Sequence, residues 1–260
     1  AYLGSVESGR PFRQFGGESG VGVSGGSQDH TAILASEAGR VCQFAYAPAR
    51  YEGAAELPRD VTFVIGVSGV IAQKTGSARA AYNRAAGLSG AVLDAWRVAT
   101  SRDDATLYEA AASSSDAPGR IRGALSIPRG DFEHADLLAR FDQFFDETFL
   151  IIPKAFAALS RQDLKTFGDL VDRSQGGAEK GLSNQVAETI ALARSARSLG
   201  AHAASAFGAG FGGSVWALVN SSDADAFSTE WERAYRQRFD YPQAAFFRTN
   251  AGPPLLRLSV

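Results

Sequence analysis

The spacing of apolar positions changes several times along the chain, and each change marks a predicted element. Over residues 77–100, Ala78, Ala81, Tyr82, Ala85, Leu88, Val92 and Trp96 recur at steps of three and four, which predicts an amphipathic helix with one buried stripe. The same period, with charged residues opposite, predicts helices over 134–159, 162–175, 184–199 and 223–239. Residues 31–37 also turn helical. Ser101 is placed to cap a further helix, with Asp104 completing a box-like start. Runs rich in β-branched and aromatic residues predict buried strands at 41–46, 61–67, 215–219, 244–247 and 255–258, the first two flanking a loop with Pro48 and Pro58. Helices and strands follow one another without a repeat, so the fold class is α+β.

Glycine and proline punctuate this pattern. Eight glycines precede His30, too many for a regular helix or strand, so the chain opens on a long Gly/Ser-rich loop. Residues 113–130 hold three consecutive serines, Pro118, Gly119, Gly123, Pro128 and Gly130. That breaker zone fits a domain boundary or an active-site loop and divides the chain into 1–130 and 131–260.

Composition narrows the function. The 260 residues carry 26 Lys plus Arg against 28 Asp plus Glu, a formal net charge of −2. No basic stripe suited to nucleic acid or to an acidic membrane surface emerges. The longest apolar stretch, near 149–158, is broken by Pro153 and Lys154, well short of the roughly 18 to 20 apolar residues of a bilayer span. A single cysteine, Cys42, closes no intrachain disulfide; its apolar neighbours predict a buried thiol in a reducing, cytoplasmic setting. The chain begins at Ala1 and holds no methionine, which leads us to expect an upstream segment.

Four groups of residues are candidates for chemistry. Gly208-Ala209-Gly210-Phe211-Gly212-Gly213 satisfies G-x-G-x-x-G, a pattern that lets backbone N–H groups approach phosphate oxygens. A dinucleotide-binding fingerprint needs a strand before it and a helix after it. Here a helical stretch is predicted before it and a strand after, so the alternatives are a phosphate loop of another kind or a tight turn. Gly22-Val23-Ser24-Gly25-Gly26 matches the nucleophile elbow G-x-S-x-G, with His202 downstream. Residues 11–20 are polar and glycine-rich rather than a feeding strand, so a serine hydrolase using Ser24 is kept only as a further alternative. Asp29, at the end of the first glycine-rich loop, can cap the next helix or accept a proton from a substrate hydroxyl. Lys74, Arg79 and Arg84 bracket Tyr82, either as a solvated basic face around a core tyrosine or as cations beside a ring that stacks on a sugar. His30, His134 and His202 show no metal-ligand spacing, and no structural metal is predicted.

Taken together, three of these stretches resemble the GHMP small-molecule kinases, and within them the galactokinases. Gly25-Gly26-Ser27-Gln28-Asp29-His30 is similar to the galactokinase segment C-G-I-M-D-Q; the resemblance makes Asp29 the base toward the sugar 1-hydroxyl and puts Gly26 beside the sugar. A strand at 61–67, the cation Lys74 and Ala80-Ala81-Tyr82-Asn83-Arg84 follow in the order of the family's strand, cation and S-E-Y-N-x-R helix, so Tyr82 matches the sugar-contacting tyrosine. The stretch 206–215 resembles the third GHMP motif, G-x-G-F-G-G and a strand, which implies that Gly208, Gly210, Gly212 and Gly213 stand near the phosphates of ATP. The helix pair around 157–171 is also similar.

The resemblance implies a two-domain GHMP fold: a ribosomal-protein-S5-like N-terminal part, incomplete here, and a ferredoxin-like C-terminal domain. It implies a sugar kinase that uses ATP with Mg²⁺ to phosphorylate the anomeric hydroxyl of galactose or a related hexose, with Lys74 neutralising charge. The family's first and second motifs, including its P-x-x-x-G-L-S-S-S phosphate loop, are not found among these residues and are expected upstream or on a partner chain. The family's M-D-Q is Gln28-Asp29-His30 here and its S-E is Ala80-Ala81. Those departures leave open another hexose, or a sugar-binding or regulatory relative without catalysis.

Overall fold

The computed structural model describes residues 2–3, 12–17, 28–46, 49–71, 79–126, 132–208 and 210–255. In chain order these form α1 (Gln28–Ala35), β1 (Arg40–Tyr46), β2 (Ala49–Glu56), β3 (Val61–Val67), α2 (Arg79–Thr100), α3 (Leu107–Ala112), α4 (Ala117–Ala124) and α5 (His134–Phe145), then α6 (Ile152–Ser160), α7 (Leu164–Gly177), α8 (Ala187–Ser198), β4 (Ala203–Ala206), β5 (Ser214–Asn220), α9 (Ala224–Arg236) and β6 (Ala245–Thr249). The α+β expectation holds. Two wide, π-helical turns, Asp146–Ile151 and Ala178–Leu182, interrupt the long helical stretches. The first has a covalent cause: Pro153 has no N–H for the ordinary four-residue step, and Ile152 N–H instead reaches five residues back to the Glu147 carbonyl.

An antiparallel sheet of order β4-β5-β3-β6 joins β3 to three strands of the second half. Side chains alternate across it with the strand period of two. Val64, Val215, Ala217 and Val219 face α8 and α9, where Leu192, Ala196, Phe227 and the fully buried Trp231 complete the core. Leu218, Val61 and Ala203 lie on the other face with Val171 of α7, and Phe63, Phe167 and Trp216 pack beside them. A separate helical core joins α2, α3, α4 and α5 through Trp96, Ile121, Leu125, Leu137 and Phe141. The sheet and the helical core therefore each draw on both sides of residue 130.

Several local expectations change. The loop expected between the first two strands contains β2, which pairs with β1 through a bulge at Gln43/Phe44; Pro48 lies outside the described residues. The breaker zone contains α4, because Pro118 falls in the first helical turn, where its missing N–H removes no bond. A short strand, β4, directly precedes the glycine motif where a helical stretch was expected. Leu255 lies in no strand, and 256–258 lie outside the described residues. Cys42 is half-buried on β1 rather than fully enclosed.

Ser101 does not cap a helix. It turns the chain through a left-handed conformation (φ 57°), and α3 starts instead at Thr106, whose hydroxyl accepts Glu109 N–H at 3.1 Å. Asp104 holds the corner: its carboxylate takes Trp96 Nε1 at 2.7 Å and two bonds of 2.8 Å from Arg102. The Arg102 guanidinium, then the indole donor, hold its pKa down to about 2. A depressed carboxylate contributes stability that is present above its unfolded value and lost as pH falls through its folded value. The urea midpoint of the wild-type protein is therefore expected to fall from pH 4 to pH 2 more steeply than that of Asp104→Asn, which lacks this titration; parallel profiles would remove Asp104 from the acid transition.

Candidate active site

The glycine motif is the hairpin connection between β4 and β5. Phe207 N–H donates to the Ser214 carbonyl at 3.0 Å, closing the strands below the loop. Above that pair the backbone is left-handed or nearly so: φ is 56° at Gly208, 80° at Gly210, 61° at Phe211, 129° at Gly212 and 83° at Gly213. Two glycines are required by contact as well as by φ. A Cβ on Gly210 would lie 2.1 Å from the Asn184 carbonyl oxygen, and one on Gly212 2.7 Å from the Val70 carbonyl oxygen. Both neighbours are backbone and cannot swing aside.

Those same carbonyls hold the loop. Phe211 N–H donates to Asn184 O at 2.6 Å and Gly213 N–H to Val70 O at 2.8 Å. On the other side, Ser68 sends both its N–H (3.0 Å) and its hydroxyl (2.6 Å) to the Gly213 carbonyl. Ser68 is fixed in turn by the Tyr235 hydroxyl, which donates to its carbonyl at 2.6 Å. Burial, ahead of the nearby Glu188 charge, pushes the Tyr235 pKa well above the usual phenol range, so the donor stays protonated at any working pH. Two of the loop's amide donors are thus committed inward. Among the described residues of the loop, the N–H groups of Gly208, Gly210 and Gly212 have no such acceptor and are available to an anion.

Tyr82 joins this loop from α2. Its ring lies 4.8 Å from that of Phe211, tilted by 48°, and its hydroxyl donates to the Gly210 carbonyl at a long 3.4 Å. The geometry therefore brings together Tyr82 and the glycines, two motifs separated by more than a hundred residues. Arg84 is directed elsewhere: it pairs with Asp136 at 2.7 Å and covers the Phe132 ring, so the expected cluster of cations around Tyr82 loses this member. Asp29 lies in the first turn of α1 as a helical residue, not as the cap before it, and is exposed. The C-terminal stretch reaches the same helix, where Leu255 N–H donates to the Ile33 carbonyl at 2.7 Å. Gly26, Lys74 and Ser24 lie outside the described residues. His202 bonds Asn220 Oδ1 at 2.8 Å and His134 bonds the Leu125 carbonyl at 2.6 Å, which gives both rings ordinary structural partners.

Residues 155–237, from α6 through α9 and including the whole loop, match the family model for the GHMP kinases C terminal. The chain carries a GHMP kinase C-terminal domain. The chain is also 40% identical over 91 residues to galactokinases of Lacticaseibacillus casei and Lacticaseibacillus paracasei, a match covering 34% of this chain and 23% of each relative. Its fold is similar to that of the Lactococcus lactis galactokinase solved in complex with galactose, with a TM-score of 0.69 at 22% identity over 85% of this chain. The chain spans about half of that protein, 53% of its length. The GHMP domain's own boundary is instructive, since β3, at the centre of its sheet, lies far upstream of residue 155.

The candidate glycines and Tyr82 carry a signal in the sequence, and the groups that hold them do not. Asn184, only 2% exposed, acts through its carbonyl, and Val70 and Ser68 act through backbone or a hydroxyl. Their side-chain types carry no motif, and only the run of small residues in the loop signalled that some backbone had to come close.

Proposed function

We propose that this chain is the larger part of the catalytic unit of a GHMP sugar kinase, which moves the γ-phosphoryl group of ATP onto a sugar hydroxyl. The acceptor is the anomeric hydroxyl of galactose or a related hexose. The observation that carries this reading is the hairpin loop 208–213, held open on Asn184 and Val70 with Gly210 and Gly212 N–H available, and covered by the Tyr82–Phe211 pair. Such a loop offers fixed backbone dipoles to phosphate oxygens in the transition state.

In this reading the sugar oxygen attacks the γ-phosphorus, its proton passes to the Asp29 carboxylate, and the bond to the bridging β–γ oxygen breaks with ADP as leaving group. Gly26, Tyr82 and Lys74 shape the sugar side; Gly208, Gly210, Gly212 and Gly213 form the phosphate side. Among the described residues no three His, Cys, Asp or Glu side chains gather into a metal site. Mg²⁺ is read as the companion of the nucleotide, held mainly by phosphate oxygens and water. The partners are small molecules, the sugar and ATP, with the remaining kinase motifs supplied upstream or by another chain. No helix among the described residues is long and apolar enough to cross a membrane, and a cytoplasmic location goes with the reading.

The test is ATP-dependent phosphorylation across a panel of hexoses, with the position of the new phosphate read by ³¹P–¹H correlation. A hexose 1-phosphate and stoichiometric ADP are expected. Saturable sugar binding without transfer would overturn the kinase in favour of a sugar-binding relative, the alternative that Gln28-Asp29-His30 and Ala80-Ala81 suggest.

A further inference from the structure

β4 is an edge strand of its sheet, and an edge strand turns every second N–H toward whatever lies beside it. The register shows which ones. Because Phe207 N–H is bonded to Ser214, antiparallel alternation points the N–H of Ala206 away from β5. Its acceptor is a side chain. Gln175, in the last turn of α7 and only 5% exposed, presents Oε1 to Ala206 N–H at 3.0 Å and to the Ser205 hydroxyl at 3.0 Å. Its Nε2 donates to Glu179 at 3.2 Å, and the other oxygen of Glu179 takes Arg194 at 2.6 Å.

This arrangement discriminates between residue types. The oxygen must face the strand and the nitrogen must face a carboxylate, which only a neutral amide provides. The chain then runs from Gln175 through the wide turn Ala178–Leu182 to Asn184, the residue whose carbonyl holds the loop's tip. A single stretch, 175–184, therefore grips the glycine loop at its root and at its tip.

We propose that Gln175 is a positioning residue for the glycine loop, acting through Ala206 to set where the Gly210 and Gly212 N–H groups stand against the phosphates of the nucleotide. The inference rests on the kinase reading. Gln175→Leu leaves the half-buried Ala206 without an acceptor for its N–H. Gln175→Glu keeps the acceptor but sets a second carboxylate against Glu179, and adding Glu179→Gln restores the donor and acceptor pattern with the roles exchanged.

These three variants, made in the protein as it exists, are compared by steady-state phosphorylation and by amide hydrogen exchange of peptides covering 206–213. For Gln175→Leu, kcat/KM for ATP is expected to fall about tenfold, which is about 1.4 kcal/mol of transition-state stabilisation. The KM for sugar should stay within about twofold and loop exchange should rise about tenfold, with peptides of α9 unchanged. The exchanged pair should recover most of both losses. Unaltered ATP parameters and loop exchange overturn the proposal, as does a loss that the exchanged pair does not restore and that spreads through the sheet. If the wild-type protein transfers no phosphate, the kinase reading fails separately, and loop exchange alone decides whether Gln175 holds the loop.

Discussion

Replacing Gly210 by alanine is expected to lower phosphate transfer more than about 100-fold and to destabilise the protein by about 3 kcal/mol. The new Cβ would lie 2.1 Å from the Asn184 carbonyl oxygen and 2.8 Å from the Cγ and Nδ2 of the same residue. A φ of 80° adds its own penalty of about 1–2 kcal/mol for a residue with a side chain. Relief by movement is blocked, because that carbonyl accepts Phe211 N–H at 2.6 Å and Asn184 is 2% exposed. Either the bond breaks or the loop shifts, and both displace the Gly210 and Gly212 donors. Gly208 provides the control: it shares the left-handed backbone, with φ 56°, but open space surrounds its Cβ position. Gly208→Ala should therefore cost only about 1 kcal/mol. Urea denaturation of both variants separates strain from collision; equal losses of stability at the two positions would remove the Asn184 contact as the cause.

Asp29→Asn is expected to reduce turnover by about 10²–10⁴-fold while leaving ATP affinity unchanged. Asparagine keeps the size of the side chain but cannot take the proton of an attacking hydroxyl. The fold should tolerate the change, since α1 contains no buried residue and Asp29 is exposed in its first turn; loss of a favourable charge at a helix start is worth at most about 1 kcal/mol. Single-turnover phosphorylation with an ATP titration by calorimetry checks both halves. Retained turnover would take Asp29 out of the mechanism, and a parallel loss of ATP affinity would place it at the nucleotide instead.

What could be read from the sequence depended on how much signal each element carries in its own residues. α2 was legible because Leu88, Val92 and Trp96 fall on one stripe, and all three are buried. β3 was legible because it is dense in β-branched residues, and β5 because Val215, Trp216, Leu218 and Val219 make it a short apolar run. β4 is Ala-Ala-Ser-Ala and is a strand only because β5 and Gln175 take up its backbone groups. β2 alternates weakly, with Arg50, Tyr51 and Glu52 all exposed, so its pairing with β1 decides it. The glycines Gly119 and Gly123 argued against α4, yet both face open space and leave Ile121 to anchor the helix in the core. The candidate site divides in the same way. Its glycines and Tyr82 advertise themselves by type and spacing, whereas Asn184 and Val70 contribute only carbonyls, which every residue has.

The position of β3 also bears on how the protein comes into being. Val61–Val67 lies between β5 and β6 in the finished sheet, yet both partners are made about 150 residues or more later; at ordinary synthesis rates that is a wait of about 10–30 s. During this time the heptapeptide Val-Thr-Phe-Val-Ile-Gly-Val, uncharged and rich in β-branched residues, has no sheet to join and is of the composition that pairs with its own kind. The closing of so long a loop makes the sheet a late and slow event. Newborn chains are therefore most exposed to aggregation while they are still being translated, and the yield of soluble protein should rise when synthesis is slowed by cold or when chaperones that hold extended apolar segments are supplied.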